Sequence, residues 1–263
     1  MDIGISTACF YPTPTEKTIP IISELGFKKI EVFMESYSEY KEDFCIKLKD
    51  QVDRLGIKVI STHAFGSVYE PFLFSEYDRR KEDSIQIFKK ALNASRILGA
   101  QYFTFHGSRR DMTTDHYDYA RFGSEMTYLA ELAREYNIIL AWENVFWCQS
   151  GCPSFVEQAL QHIRSDNLKF TLDIKQANKS GVDPTQYIHV MKNRVANVHI
   201  NDADSENVCL LPGEGKVDLK AIINLLKKYE YSGDFIIEVY GHNFNDIKQI
   251  KKAQTYLEGL IHA

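Results

Sequence analysis

Four polar residues each stand at the C-terminal end of a short apolar run. They are Glu143, Asp173, His199 and Glu238. A short apolar run is typical of a buried strand, and a carboxylate or imidazole at its end is costly to bury without a partner. Three carboxylates and one imidazole are suitable ligands for a divalent cation. The pattern therefore predicts an enzyme site, provided that the four strands end at the same place.

The chain alternates between strand-like runs and amphipathic stretches eight times. Strands are predicted at 2–6, 28–33, 57–62, 102–105, 138–142, 169–172, 195–200 and 234–239. Helices are predicted at 15–25, 40–55, 76–98, 115–136, 153–164, 184–192, 218–229 and 246–261. Eight such units without a break in composition predict a single α/β domain over 1–263, a (β/α)8 TIM barrel. A doubly wound sheet is the alternative, but no G-x-G-x-x-G motif follows any predicted strand.

A barrel places the C-terminal ends of all its strands on one rim, where catalytic residues are found. Three more polar residues fall near predicted strand ends: Glu31 in strand two, His63 after strand three and His106 after strand four. We expect these residues to join the first four around one axis. Carboxylates held so close repel one another, so we expect an empty site to be unstable.

Composition argues against several classes of binding partner. The chain has 263 residues, of which 44% are hydrophobic and 25% charged, with a net charge of -5. It presents no basic field for nucleic acid or for an anionic membrane. No stretch approaches the roughly 18 to 20 apolar residues of a membrane span, and the N-terminus lacks the features of a signal peptide. Five scattered cysteines argue against a disulfide framework, so we expect a cytoplasmic protein.

The order Glu, Asp, His, Glu after strands five to eight resembles the xylose isomerase-like barrel superfamily. Local motifs carry the resemblance along the whole chain: Leu25-Gly26-Phe27-Lys28-Lys29-Ile30-Glu31-Val32, Leu98-Gly99-Ala100, Trp142-Glu143-Asn144, Thr171-Leu172-Asp173-Ile174, His199-Ile200-Asn201-Asp202 and Gly213-Glu214-Gly215-Lys216-Val217-Asp218. Members include sugar and sugar-phosphate isomerases and epimerases, inosose-pathway enzymes and endonuclease IV. The resemblance implies an enzyme of carbohydrate metabolism.

The resemblance also implies a metal and a mechanism. Glu143, Asp173, His199 and Glu238 are expected to bind one divalent cation, with Mn²⁺ or Zn²⁺ favoured and Mg²⁺ or Co²⁺ as alternatives. The expected reaction is isomerisation or epimerisation of a small sugar, sugar phosphate or keto-polyol through an enediolate. Glu143 and Glu238 are expected to be the acid/base pair, because strands five and eight can bring them to opposite sides of the substrate.

Six further residues are predicted to contact the carbohydrate. They are His63, His106, Gln176, Asp202, Lys175 and Arg109. Simpler structural explanations remain open for several of them. The two imidazoles would then only hydrogen-bond carboxylates or backbone, the two cations would be solvated loop charges, and Asp202 would only orient His199. Glu31 is a candidate to hold one imidazole in its tautomer.

Three alternative functions are open. A keto-inositol dehydratase would use the same enolate chemistry but expel a hydroxyl group. An endonuclease IV-like phosphodiesterase would need three zinc ions, and Gln176, Asn207 and Cys209 stand where that enzyme has other ligands. A sugar-binding barrel without activity is disfavoured by the complete ligand set. We expect a small-molecule substrate and neither a membrane nor a nucleic-acid partner, and the sequence leaves a homo-oligomer open.

Overall fold

Eight parallel strands close into a barrel in which each strand pairs with the next and β8 pairs with β1. The computed structural model describes residues 1–65, 68–110 and 117–262. The strands are β1 (Ile3–Ser6), β2 (Lys29–Met34), β3 (Lys58–Ala64), β4 (Tyr102–Phe105), β5 (Ile139–Glu143), β6 (Leu168–Asp173), β7 (Val195–Ile200) and β8 (Phe235–Ile237). The predicted single-domain (β/α)8 barrel is confirmed, and the doubly wound alternative is excluded.

Helices connect the strands and cover the barrel. In the described residues they are α1 (Thr15–Glu24), α2 (Glu42–Arg54), α3 (Asp78–Leu98), α4 (Tyr119–Glu135), α5 (Pro153–Leu160), α6 (Ile174–Lys179), α7 (Pro184–Met191), α8 (Leu219–Lys228) and α9 (Ile247–His262). The start predicted for the fourth helix, at 115 and 116, lies outside the described residues. No described helix is long and apolar enough to cross a membrane.

Several elements differ from the prediction. Helix α5 ends at Leu160, four residues earlier than predicted, and β3 extends to Ala64, so that His63 lies within the strand and not after it. The short helix α6 was not predicted; it begins directly after β6, where the Asp173 carboxylate accepts a hydrogen bond from the Gln176 N–H at 3.1 Å. A carboxylate at this position satisfies a backbone donor of the first turn and so starts the helix. Strand β8 is shorter than predicted, because its pairing with β7 ends at Ile237, and Glu238 lies just beyond.

The outer faces of the strands and the inner faces of the helices form the hydrophobic core. Helix α8 illustrates the pattern, because its buried residues Leu219, Ile222, Ile223 and Leu226 follow the spacing of one helical face. The polar remainder of that helix faces away from the core. Burial of this apolar ring fixes the barrel and therefore the positions of the strand ends.

The inside of the barrel is polar near its C-terminal rim. Four strands carry a polar residue two positions before a rim residue: Ser61 before His63, Thr104 before His106, Thr171 before Asp173, and Asn197 before His199. Because side chains in a strand alternate between its two faces, both members of each pair point to the barrel interior. A polar layer thus lies directly beneath the rim.

We expect Gly4→Ala to destabilise the protein by about 1–3 kcal/mol through overpacking of the barrel interior. An added Cβ at this position would lie 2.7 Å from Ile236 Cδ1 and 2.9 Å from the Lys29 carbonyl oxygen. The control is Gly259→Ala in α9, where an added Cβ meets nothing within 4 Å. That substitution should stabilise the helix by about 0.5–1 kcal/mol. Urea denaturation measures both, and equal effects at the two glycines would contradict the packing.

Candidate active site

The imidazole of His199 lies at the centre of the four residues first identified. Its Nδ1 is 3.2 Å from Glu143 Oε1, 3.3 Å from Glu238 Oε2 and 3.6 Å from Asp173 Oδ2. The four residues are buried, and they offer one ligand atom each within 4.8 Å of one another. Strands β5, β6 and β7 and the residue after β8 therefore bring the predicted ligands to one point.

The donor set fits a divalent cation. Glu143 Oε2 and Asp173 Oδ2 are buried and accept no well-aligned hydrogen bond, although His106 Nε2 and Lys175 Nζ each lie 3.3 Å from one of them. A buried carboxylate oxygen without a hydrogen bond is costly, and a cation bound among these groups would offset that cost. Three oxygen donors and one imidazole suit Mn²⁺, Zn²⁺, Mg²⁺ or Co²⁺.

Glu31 determines which nitrogen of His199 faces these carboxylates. His199 Nε2 lies 3.0 Å from Glu31 Oε2, so Nε2 carries the hydrogen and Nδ1 is the atom left for a cation. The same carboxylate oxygen accepts hydrogen bonds from Ser61 Oγ at 2.7 Å, Thr104 Oγ1 at 3.1 Å and Asn197 Nδ2 at 3.2 Å. The polar layer beneath the rim thus holds Glu31, and Glu31 holds His199.

The charges of the site shift the pKa values of its members in opposite directions. Burial raises the pKa of Glu143, but hydrogen bonds from His106 and His199 outweigh it and leave the pKa well below its usual range. The pKa of Glu238 is lowered in the same way, with the charge of Lys175 as the main opposing cause. Burial raises the pKa of Asp173. Both glutamates are therefore ionised at neutral pH.

The opposite balance holds for His199. Burial lowers the pKa of its imidazole, but the charges of Glu31 and Glu238 outweigh burial and raise the pKa well above its usual value. A metal ligand must offer a lone pair, so an ion that binds Nδ1 displaces the proton from that nitrogen. Metal binding to this site is therefore expected to release a proton.

His63 and His106 form a second imidazole pair beside the first cluster. Their Nε2 atoms are 2.7 Å apart, a distance that requires one donor and one acceptor. His63 Nδ1 lies 3.4 Å from Glu31 Oε1 and 3.5 Å from Glu238 Oε1, while His106 Nε2 lies 3.3 Å from Glu143 Oε2. Burial lowers the pKa of each ring, but nearby carboxylates outweigh burial and raise it, chiefly Glu238 and Glu31 for His63 and Glu70 and Glu143 for His106. Only one of the two rings is charged while the Nε2 atoms are in contact, because one of these atoms must accept the hydrogen bond.

Lys175 and Gln176 approach the site from the first turn of α6. Lys175 Nζ is 2.6 Å from Glu238 Oε2 and 3.3 Å from Asp173 Oδ2, so the buried ammonium neutralises part of the carboxylate charge. The side-chain oxygen of Gln176 accepts a hydrogen bond from the Phe146 N–H at 3.3 Å. Both residues therefore lie next to the four candidate ligands, but neither is one of them.

A cavity of about 860 Å³ opens above the cluster. Its polar lining residues include His63, His106, Lys175, Gln176 and Glu238, and its aromatic ones include Phe33, Phe65, Trp147 and Tyr240. Concave sites lined by aromatic rings and a few convergent polar groups are typical of small-molecule binding.

Two predicted substrate contacts lie elsewhere. The carboxylate of Asp202 accepts hydrogen bonds from the backbone N–H groups of Ala203, Gly213 and Val217, at 2.8, 3.0 and 3.0 Å, and so holds the loop after β7. Arg109 is exposed, with its guanidinium carbon 5.6 Å from the centre of the Trp147 ring. Neither residue lines the cavity as the structure describes it, and the partner that orients His199 is Glu31.

Some contributing residues were not identified from the sequence. Asn144 hydrogen-bonds both backbone groups of Asp173, and Asn201 donates to Asp173 Oδ1 at 3.3 Å. Asn144 directly follows a rim residue, which is a usable signal. Asn197 precedes His199 by two positions, as the period of a strand requires for a shared face. Glu70 is buried beside His106, but its position in the sequence does not indicate this contact, because it lies on a separate loop.

We expect Glu31→Gln to weaken the binding of Mn²⁺ by roughly 10–100-fold, since the group that orients His199 loses its charge. Calorimetric titration of the metal-free protein measures both affinity and stoichiometry, and one ion per chain is expected. Ser61→Ala, which removes only one donor to the same carboxylate, serves as the control and should have a smaller effect. An unchanged affinity in Glu31→Gln would refute the role of Glu31.

Comparisons with known proteins agree with the architecture. A family model described as xylose isomerase-like TIM barrel matches residues 19–260. The fold is similar to that of a D-tagatose 3-epimerase-like protein, with a TM-score of 0.84 and 20% identity, covering 100% of this chain and 97% of that one. It is also similar to a D-psicose 3-epimerase from Clostridium cellulolyticum H10, solved with D-tagatose, with a TM-score of 0.79 and 16% identity over 100% and 99% of the chains. The IOLI protein, solved with a zinc atom, gives a TM-score of 0.79 and 17% identity over 99% and 98%. The chain belongs to the xylose isomerase-like TIM barrel family.

Proposed function

We propose that this protein is a divalent-metal-dependent isomerase or epimerase that acts on a small sugar, sugar phosphate or keto-polyol. The observation that carries the proposal is the convergence of three buried carboxylates on Nδ1 of His199 at the base of a cavity. Sugar epimerases among the solved structures with this fold support the same reaction class.

Glu143, Asp173, His199 and Glu238 would hold the metal ion. When bound, a divalent ion at this position supplies Lewis-acid polarisation of the substrate carbonyl. The zinc atom in the IOLI structure supports zinc as one candidate, and manganese suits the three oxygen donors equally. Mg²⁺ and Co²⁺ are the further candidates.

Proton transfer is assigned to Glu143 and Glu238. Both are ionised at neutral pH, and each has one oxygen near His199 Nδ1 and the other near His106 or His63. One glutamate removes the proton from the carbon next to the carbonyl, and the electrons of that C–H bond form the enediolate. The other glutamate first takes up a proton from its neighbouring imidazole, His106 for Glu143 or His63 for Glu238, and then returns that proton to the neighbouring carbon or to the opposite face of the same carbon.

Four side chains of the cavity are assigned to substrate binding. His63, His106, Lys175 and Gln176 offer polar groups for hydroxyl and carbonyl oxygens. The rings of Trp147 and Tyr240 provide an apolar wall against one face of a sugar.

The first test identifies the substrate without knowledge of the product. The metal-loaded protein is incubated in D₂O with a panel of ketoses, their phosphates and keto-inositols, and deuterium is followed by NMR and mass spectrometry. We expect deuterium at the carbon next to the carbonyl in at least one compound. Loss of water from the product would instead assign the dehydratase reaction. No incorporation in any compound would contradict proton transfer.

We expect Glu143→Gln and Glu238→Gln each to reduce kcat for this exchange by about 10²–10⁴-fold, since an amide cannot accept the substrate proton. The circular dichroism spectrum should remain that of the parent. Glu135→Gln, an exposed position at the end of α4, is the control and should leave kcat unchanged. Turnover of either active-site variant within a few-fold of the parent would exclude the two-glutamate mechanism.

A further inference from the structure

Glu70 is a fully buried carboxylate that lies outside the four-residue cluster. It begins a 3₁₀ turn, Glu70–Phe74, on the connection between β3 and α3. Its Oε2 accepts hydrogen bonds from the backbone N–H groups of His106, at 2.8 Å, and Gly107, at 3.3 Å. The same oxygen lies 3.2 Å from His106 Nδ1. Within 4 Å of this carboxylate, the structure describes one ionisable side chain of opposite charge, the imidazole of His106.

Two backbone donors therefore bind one oxygen of Glu70, and His106 Nδ1 lies in ionic contact with that oxygen. Burial of a carboxylate is costly unless it is hydrogen-bonded, and this one gains its hydrogen bonds from a single strand end. The backbone of Gly107 has a φ of 91°, a conformation that glycine adopts without strain. An added Cβ there would lie 3.0 Å from Trp142 Nε1, so the turn after β4 is closely packed where it meets Glu70.

The contact with Glu70 decides which atom of His106 faces the cavity. Because Nδ1 lies against a carboxylate, it carries a hydrogen whatever the charge of the ring. Nε2 is then the atom that lies 2.7 Å from His63 Nε2 and 3.3 Å from Glu143 Oε2. His106 also lines the cavity.

We propose that Glu70 is a positioning residue for His106. It fixes the ring orientation and keeps the hydrogen on Nδ1, so that Nε2 is presented to the substrate and to Glu143. Loss of such a carboxylate would release the ring to the other tautomer, in which Nδ1 is bare. The kinetic consequence rests on the function proposed above, whereas the orientation of the ring does not.

The orientation is tested by NMR on the zinc-loaded protein with ¹⁵N-labelled histidine. Long-range ¹H–¹⁵N spectra report which ring nitrogen carries hydrogen, and comparison with His106→Gln assigns the signals. In the parent protein, Nδ1 of His106 should appear protonated, and in Glu70→Gln its shift should move toward that of a bare nitrogen. A bare Nδ1 in the parent would overturn the proposal even if Glu70→Gln failed to fold.

The consequence for catalysis is tested in the deuterium exchange assay. We expect Glu70→Gln to lower kcat by on the order of 10–100-fold, with KM changed less than threefold and the metal content unchanged. Tyr69→Phe is the matched control, because it removes a buried hydroxyl without a hydrogen-bond partner from the adjacent position. Kinetics of Glu70→Gln equal to those of Tyr69→Phe, or an unchanged His106 signal, would overturn the proposal. If the parent exchanges no compound, the proposed function fails, and the NMR result alone decides the role of Glu70.

Discussion

The carboxylate of Glu31 is the interaction on which the site depends. One of its oxygens accepts hydrogen bonds from side chains of β3, β4 and β7, and the same oxygen faces His199. The Glu31 carboxylate on β2 therefore connects strands from opposite sides of the barrel across the barrel axis. Because this connection fixes the ring of His199, it sets the point at which the other carboxylates converge. The second oxygen of Glu31, Oε1, lies 3.4 Å from His63 Nδ1, so the same carboxylate contacts a second imidazole.

The site concentrates charge at a depth where charge is expensive. Repulsion among Glu143, Asp173 and Glu238 is opposed by Lys175 and by the imidazoles, and a resident cation would complete that balance. Hydrophobic packing of the helices on the strands offsets the remaining cost of this buried charge, because it holds the strand ends in place. The stability of the barrel is thus what permits an arrangement that would be unfavourable on a flexible scaffold.

Much of the fold and of the site followed from local patterns. Apolar runs ending in Glu143, Asp173 or His199 are local signals, and their convergence follows from the parallel barrel alone. Helix α6 was missed because six residues are too few to establish a helical period. Glu70 and His106 are 36 positions apart on separate loops, so no spacing rule joins them. Asp202 follows His199 closely in the chain, yet its carboxylate turns to the backbone of its own loop. Contacts between loops depend on tertiary packing that a single sequence does not reveal.

The two carboxylate oxygens of Asp173 make different contacts. Oδ2 faces His199, and Oδ1 accepts a hydrogen bond from the Gln176 N–H at the start of α6. The second contact uses only the main chain of position 176, which every residue type except proline can supply. The side chain at 176 is therefore released from any part in holding Asp173. A substitution at 176 can therefore change the lining of the cavity without removing the hydrogen bond that Asp173 accepts. Asp173 itself has no such freedom, because both of its carboxylate oxygens are engaged, so one turn of helix separates a position constrained by its side chain from one constrained only by its main chain.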